Sequence, residues 1–274
     1  MELIFEMFSH TFIVRAMIVG LLVSLCAALL GVSLVLKRYA MIGTGLSHVG
    51  FAAMSIAGVI GMAELTLALP VVVAAAFLLL RVNESSKIKG DSAVALISTS
   101  SLAIGVIVVS LTTGLTLHIC NVMFGSIFAM TRATVQLSVA LSIVVIALFV
   151  LFYKQLFAVT YDETFASATG TKTWIYKTLL ALLTAVTVVL GMQMMGALLI
   201  ASLTLFPALT AMQVCKRFLS VVITAAIVGV ICFFIGMLFS FQLDLPPGAS
   251  VVGVNLVIFS IFSIIAFIRR GGFA

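Results

Sequence analysis

The chain reads as an all-α, polytopic transmembrane bundle. Eight to nine membrane segments and one short helix outside the bilayer are expected, in a single domain spanning residues 1–274. Three observations carry that reading. Hydrophobic residues make up 64% of the chain and charged residues only 8%, against roughly half and a quarter in soluble domains. Mean hydropathy is +1.40. The apolar residues fall in runs of about 17–25, long enough to cross a bilayer core as helices.

The runs follow one another with polar punctuation. Phe12–Leu36 ends at Lys37 and Arg38, and Met41–Gly61 ends on a glycine. Leu65–Leu80 is short and holds Pro70. Ala93–Thr113, Val135–Phe152 and Trp174–Leu190 are uninterrupted. Gly196–Val214 holds Pro207, and Leu219–Phe241 precedes Val251–Ile268 across the turn DLPPG. A proline removes a helix hydrogen bond, so the third and seventh runs are where a half-spanning piece would fall. Eight spans are therefore the alternative to nine. No appended soluble domain and no cleavable leader are expected, because MELIFEMFSH is acidic and lacks a following cleavage site.

Charge tests the threading. With the N-terminus outside and nine crossings, the inside segments hold Lys37, Arg38, Arg81, Lys87, Lys89, Lys154, Lys172, Lys177, Lys216, Arg217, Arg269 and Arg270. Only Arg15 and Arg132 of the fourteen basic residues fall outside, where Glu2, Glu6, Glu64 and Asp244 also lie. That asymmetry is the positive-inside pattern. The net charge of +6 therefore reflects membrane orientation, and nucleic acid is not an expected partner.

Two inside connections are polar: RVNESSKIKGD (Arg81 to Asp91) and KQLFAVTYDETFASATGTK (Lys154 to Lys172). The second predicts a short amphipathic helix beneath the membrane. Asp162 would cap its start, Glu163, Phe165, Ala166 and Ala168 would form it, and Gly170 would close it.

Catalytic patterns are missing. GTKT at Gly170–Thr173 lacks the rest of a phosphate-binding loop, and GTGLSH at Gly43–His48 is half of a dinucleotide fingerprint. No carboxylate pair sits within a span, which disfavours intramembrane hydrolysis. The near absence of charged relay residues within spans disfavours a secondary transporter or channel. The cysteines Cys26, Cys120, Cys215 and Cys232 are scattered and read as packing residues. So do Met192, Met194 and Met195, although thioethers can bind soft metals.

Two ionisable residues remain conspicuous. Thr44, Ser47 and His48 share a helix face at i, i+3 and i+4. Imidazole is a common ligand for transition metals, and it is equally a group that a neighbouring helix can satisfy by a hydrogen bond. Asp244 stands in FQLDLPPGAS, either as a turn residue or as part of a polar path. Glycines 31, 43, 45, 50, 58 and 61 are spaced for close helix contact.

Four ordered blocks then resemble a known family. They are RAMIVGLLVSLCAALLGVSLVLKRYAMIGTGLSHVGFAAMSIA (Arg15 to Ala57), GDSAVALISTSSLAIGVIVVSL (Gly90–Leu111) with FGSIFAM (Phe124–Met130), YDETFASATG (Tyr161–Gly170) with MGALLIASLTLFPALTA (Met195–Ala211), and DLPPGASVV (Asp244 to Val252). Together they resemble the ABC-3 family, the permease subunits of ATP-binding-cassette importers for zinc, manganese or iron. The resemblance implies two permease copies and two cytoplasmic ATPases in a bacterial-type plasma (inner) membrane, with lipid around them. An extracytoplasmic metal-binding protein would deliver the ion. The divalent metal is then cargo, with no permanently bound cofactor and no catalysis in this chain. The Asp162–Gly170 segment would couple to the ATPase, with Asp162, Ala166 and Gly170 at matching positions and Glu163 and Phe165 between them. The membrane metal site would include His48, with Thr44, Ser47 and Asp244 as further pathway groups. One departure stands out: the family commonly has Asp four residues before that His, and Thr44 is a neutral, weaker ligand. A permease for a metal chelate is the alternative that this departure supports.

Overall fold

A computed structural model describes residues 11–85, 90–111 and 132–269. Glu2, Glu6, Lys87, Lys89, Cys120, Arg270 and the FGSIFAM block lie outside these residues. Among the described residues every regular element is a helix. In chain order these are α1 (Thr11–Leu36), α2 (Ile42–Ile60), α3 (Glu64–Ser85), α4 (Gly90–Ser110), α5 (Arg132–Leu151), α6 (Tyr153–Tyr161), α7 (Glu163–Ala168), α8 (Thr173–Met195), α9 (Ala197–Val214), α10 (Phe218–Leu243) and α11 (Pro247–Arg269). All but α6 and α7 are long and apolar enough to cross a membrane, which makes nine such helices among the described residues. Neither Pro70 nor Pro207 interrupts its helix, so α3 and α9 retain full bilayer length.

In lipid, helices associate through close packing rather than through exclusion of water. Glycines provide the approach. A Cβ on Gly31 of α1 would lie 2.0 Å from the Thr204 carbonyl oxygen of α9, and one on Gly43 of α2 would lie 2.9 Å from the Thr204 hydroxyl. Gly45 of α2 faces Val94 of α4, Gly105 of α4 faces Phe51 of α2, and Gly50 faces the Met192 methyl of α8. Met192 is thus a buried packing residue. Close contact does not hold at two of the six expected glycines. Gly58 has open space beside it, and Gly61 has φ +75°, ending α2 in the left-handed region.

Helices α1, α2 and α8 are the most enclosed, while α3, α4, α5 and α11 form a rim. The rim exposes long apolar side chains such as Leu96, Ile107, Ile143, Leu256 and Ile264, suited to lipid or to another membrane chain.

The bundle has two distinct ends. At one, Lys37 after α1, Glu163 in α7 and Lys177 in α8 meet in an ion-paired group. At the other, Arg15 of α1 and Arg132 of α5 line one recess with Val135 and Gln136. Lys37 and Lys177 therefore lie at the opposite end of the bundle from Arg15 and Arg132. We label the lysine end the inner end, after the side that the charge pattern assigns to it.

Candidate functional site

The inner end carries a small platform. Helix α6 is fastened by buried Leu156 and Val159 and by rings: Tyr153 and Phe157 lie 5.7 and 4.8 Å from Phe218 at the start of α10. Asp162 then adopts an extended backbone, which breaks the helix and starts α7. Its carboxylate accepts the Phe165 N–H at 3.0 Å and the Thr164 hydroxyl, the geometry of an N-cap. Those two donors hold its carboxyl below the usual range. At the other end Gly170 has φ +84°. Its N–H bonds the Ser167 carbonyl, and the Thr171 N–H bonds that of Ala166, a Schellman closure.

Within this short helix the five expected residues divide by environment. Ala166 is fully buried, whereas Asp162, Glu163, Phe165 and Gly170 are exposed. Phe165 is 65% exposed, and Tyr161 and Trp174 beside the segment are similarly open. Glu163 reaches back to the bundle. Its Oε1 accepts from the Lys177 Nζ at 2.5 Å, and its Oε2 lies 3.6 Å from the Lys37 Nζ. Burial raises the Glu163 pKa, but the Lys177 hydrogen bond and the two ammonium charges outweigh it, leaving the carboxyl below its ordinary value.

The second place is the interior of the bundle. Helices α2 and α4 run side by side in the same direction, pairing Gly45 with Val94 and Gly105 with Phe51. Between those contacts the His48 Nδ1 lies 2.6 Å from the Ser98 Oγ. Ser98 is buried and His48 half-buried. Depth follows from packing. Gly31 and Gly43 share Thr204 and so stand at one level. His48 lies about 7.5 Å further along α2, close to the middle of α1. The imidazole therefore lies inside the bundle, in the first half of α2.

The other expected pathway residues do not gather around it. Ser47 is buried, and its hydroxyl donates to the Gly43 carbonyl at 2.8 Å within α2. Thr44 is half-buried one turn before His48. Asp244 is exposed, with φ 50° as the left-handed cap of α10. Phe218 begins that helix at the inner end, so Asp244 stands at the outer end, remote from His48. Its neighbourhood is a turn, in which Leu245 N–H bonds the Ser240 carbonyl and the Ser240 hydroxyl bonds the Leu245 carbonyl. Among the described residues no group of three or more His, Cys, Asp or Glu side chains converges. Ser98, the partner the imidazole does have, was not singled out by the sequence. It stands among Thr99, Ser100 and Ser101, and only the packing of α4 on α2 selects it.

Among the described residues, nine helices long and apolar enough to cross a bilayer, with a capped helical platform at one end, define a polytopic membrane protein. The chain belongs to the ABC 3 transport family, whose model matches residues 9–267. It is a permease and not an enzyme. It is 27% identical over 256 residues to the manganese transport system membrane protein MntC of Halalkalibacterium halodurans, covering 93% of this chain and 88% of that one. It is 29% identical over 259 residues to the probable iron transport system membrane protein of Haemophilus influenzae, covering 94% and 92%. Its fold matches a chain in the structure of PsaBC from Streptococcus pneumoniae in complex with Fab, with a TM-score of 0.84, 24% identity and coverage of 97% and 94%.

Proposed function

We propose that this chain forms the ion pathway of an ATP-driven importer for a divalent transition metal in a bacterial-type plasma membrane. Two copies would work with two cytoplasmic ATPases, and an extracytoplasmic metal-binding protein would supply the ion. Manganese and iron are favoured over zinc, because the relatives named above carry those two metals in their names. The observation that carries the reading is His48, an ionisable ring within a membrane-length helix of a bundle whose spans are almost free of charge. Ionisable side chains within spans are costly and tend to mark a path.

The Ser98 contact suits a ligand role. In the tautomer whose Nδ1–H donates to the Ser98 oxygen, Nε2 keeps a lone pair for the ion, and the hydrogen bond to Ser98 fixes the ring. A single imidazole with neutral oxygens such as Thr44 would bind weakly enough to release its cargo. A closed four-ligand cage would retain it. On this reading Asp244 is a turn residue at the outer mouth, and Ser47 supports helix α2. The platform of Asp162, Glu163, Phe165, Ala166 and Gly170 is the ATPase-coupling element, with Phe165 presented to the partner and Ala166 seated in the bundle.

The test is uptake of manganese, iron and zinc in cells carrying the whole transporter, for wild type, His48→Ala and Ser98→Ala. Uptake of one metal is expected to fall at least tenfold in His48→Ala while assembly with the ATPase holds. Ser98→Ala should raise the half-saturating metal concentration several-fold, because the ring loses its orienting partner. Unchanged uptake in His48→Ala would make the ring a packing residue.

A further inference from the structure

Helix α7 has only six residues, too few to stand alone. Its ties to the bundle are therefore what a push on it must travel through. Ala166 supplies one by simple burial. Glu163 supplies another, and it is directional. Its two oxygens reach separate elements: Lys177 on α8, and Lys37 in the turn between α1 and α2. The lysine side chains are only 9% and 8% exposed. Cations so withdrawn from water depend strongly on their counter-charge.

Both elements lead to helix α2. The turn after α1 is closed by three backbone bonds, Lys37 N–H to the Ser33 carbonyl at 3.1 Å, Arg38 N–H to that of Val35 at 3.0 Å and Tyr39 N–H to that of Leu34 at 2.8 Å. Arg38 is held at φ 61°, a conformation disfavoured for a residue with a side chain. The Ile42 N–H bonds the Tyr39 carbonyl, joining the turn to α2. Lys37 and Lys177 also line one cleft with Ile42 and Leu46, the two residues that lead up to His48. On the far side of His48, the methyl of Met192 on α8 packs against Gly50. The arms from Lys37 and Lys177 thus grip α2 on both sides of the imidazole.

We propose that Glu163 is the positioning residue that transmits movement of α7 to helix α2, so that ATPase-driven displacement at the inner surface moves the His48 ring relative to Ser98. This rests on the reading of α7 as the coupling element. Glu163 touches neither the ion nor the ATP. Its task is to keep the two events in step.

The experiment uses the complete transporter in proteoliposomes, with ATP hydrolysis and manganese uptake measured on the same preparation. For Glu163→Gln, which keeps the shape and removes the charge, ATPase retention and hydrolysis are read alongside uptake, so that the ratio of the two is compared with wild type. Manganese taken up per ATP should fall at least tenfold. Glu163→Asp should recover part of that ratio. Should Glu163→Gln not accumulate, Lys37→Gln reports on the same ratio, with a smaller expected fall of about threefold. An unchanged ratio, whether both activities drop together or neither moves, overturns the inference. Loss of the ATPase from the complex also overturns it, by assigning Glu163 to the docking contact, and leaves the coupling reading of α7 intact. A wild-type transporter showing no ATP-dependent uptake of manganese, iron or zinc removes the proposed function, and this inference with it.

Discussion

Gly31 and Gly58 occupy similar apolar helices under opposite constraints. A methyl group on Gly31 would sit 2.0 Å from a backbone oxygen of α9, and a backbone carbonyl cannot rotate aside as a side chain can. Gly31→Ala should therefore push α9 from α1 and destabilise the protein by about 3 kcal/mol, the upper part of the overpacking range. Gly58 meets nothing within 4 Å. There an alanine removes backbone freedom from the unfolded chain and should stabilise by about 0.5–1 kcal/mol. Thermal unfolding in detergent distinguishes them: the melting temperature should fall well below wild type for Gly31→Ala and rise slightly for Gly58→Ala. Equal melting temperatures would mean that the α1–α9 contact is not the one described. The same contrast shows what a lone sequence hides. Glycine spacing suggested six contacts, but which glycines meet a neighbour depends on helix rotation. His48 stood out because an ionisable ring is rare in an apolar run. Ser98 did not, because its neighbours offer the same hydroxyl chemistry.

Helix α7 was legible almost to the residue, since its signals are local. A carboxylate, three residues of reach to an N–H and a glycine at the exit define caps without tertiary information. Its attachment was not legible, because Lys37 lies far from Glu163 in sequence. The attachment should depend on pH. Asp162 and Glu163 both sit below their ordinary values of 3.8 and 4.5 in the folded state. A depressed carboxylate favours folding when ionised, so its contribution is complete above the ordinary value and is lost as pH falls through the folded one. Amide protection in Glu163–Gly170 should thus be constant from neutral pH down to the upper of those values and decline below the lower. In Asp162→Asn with Glu163→Gln, that dependence should flatten. Protection that ignores pH in the wild type would show that neither carboxylate holds the helix.

The nine apolar runs correspond to nine bilayer-length helices among the described residues, because the bilayer demands length and self-satisfied backbone and both are written in composition. Orientation is a separate matter, set by where the basic residues lie. The structure sharpens it. Lys37, Glu163 and Lys177 meet at one end, so the α1–α2 turn, α7 and the start of α8 must lie on one side of the membrane. The α2–α3 turn, a full helix of nineteen residues away, must lie on the other. If the positive-inside rule governs this chain, a cysteine at exposed Met62 should react with a membrane-impermeant maleimide in intact cells. A cysteine at exposed Thr169 should react only after permeabilisation. The reverse result would invert the molecule, put α7 out of reach of any cytoplasmic ATPase and end the coupling reading. Labelling of both sites in intact cells would mean that α2 does not cross, and the place assigned to His48 within a span would fall with it.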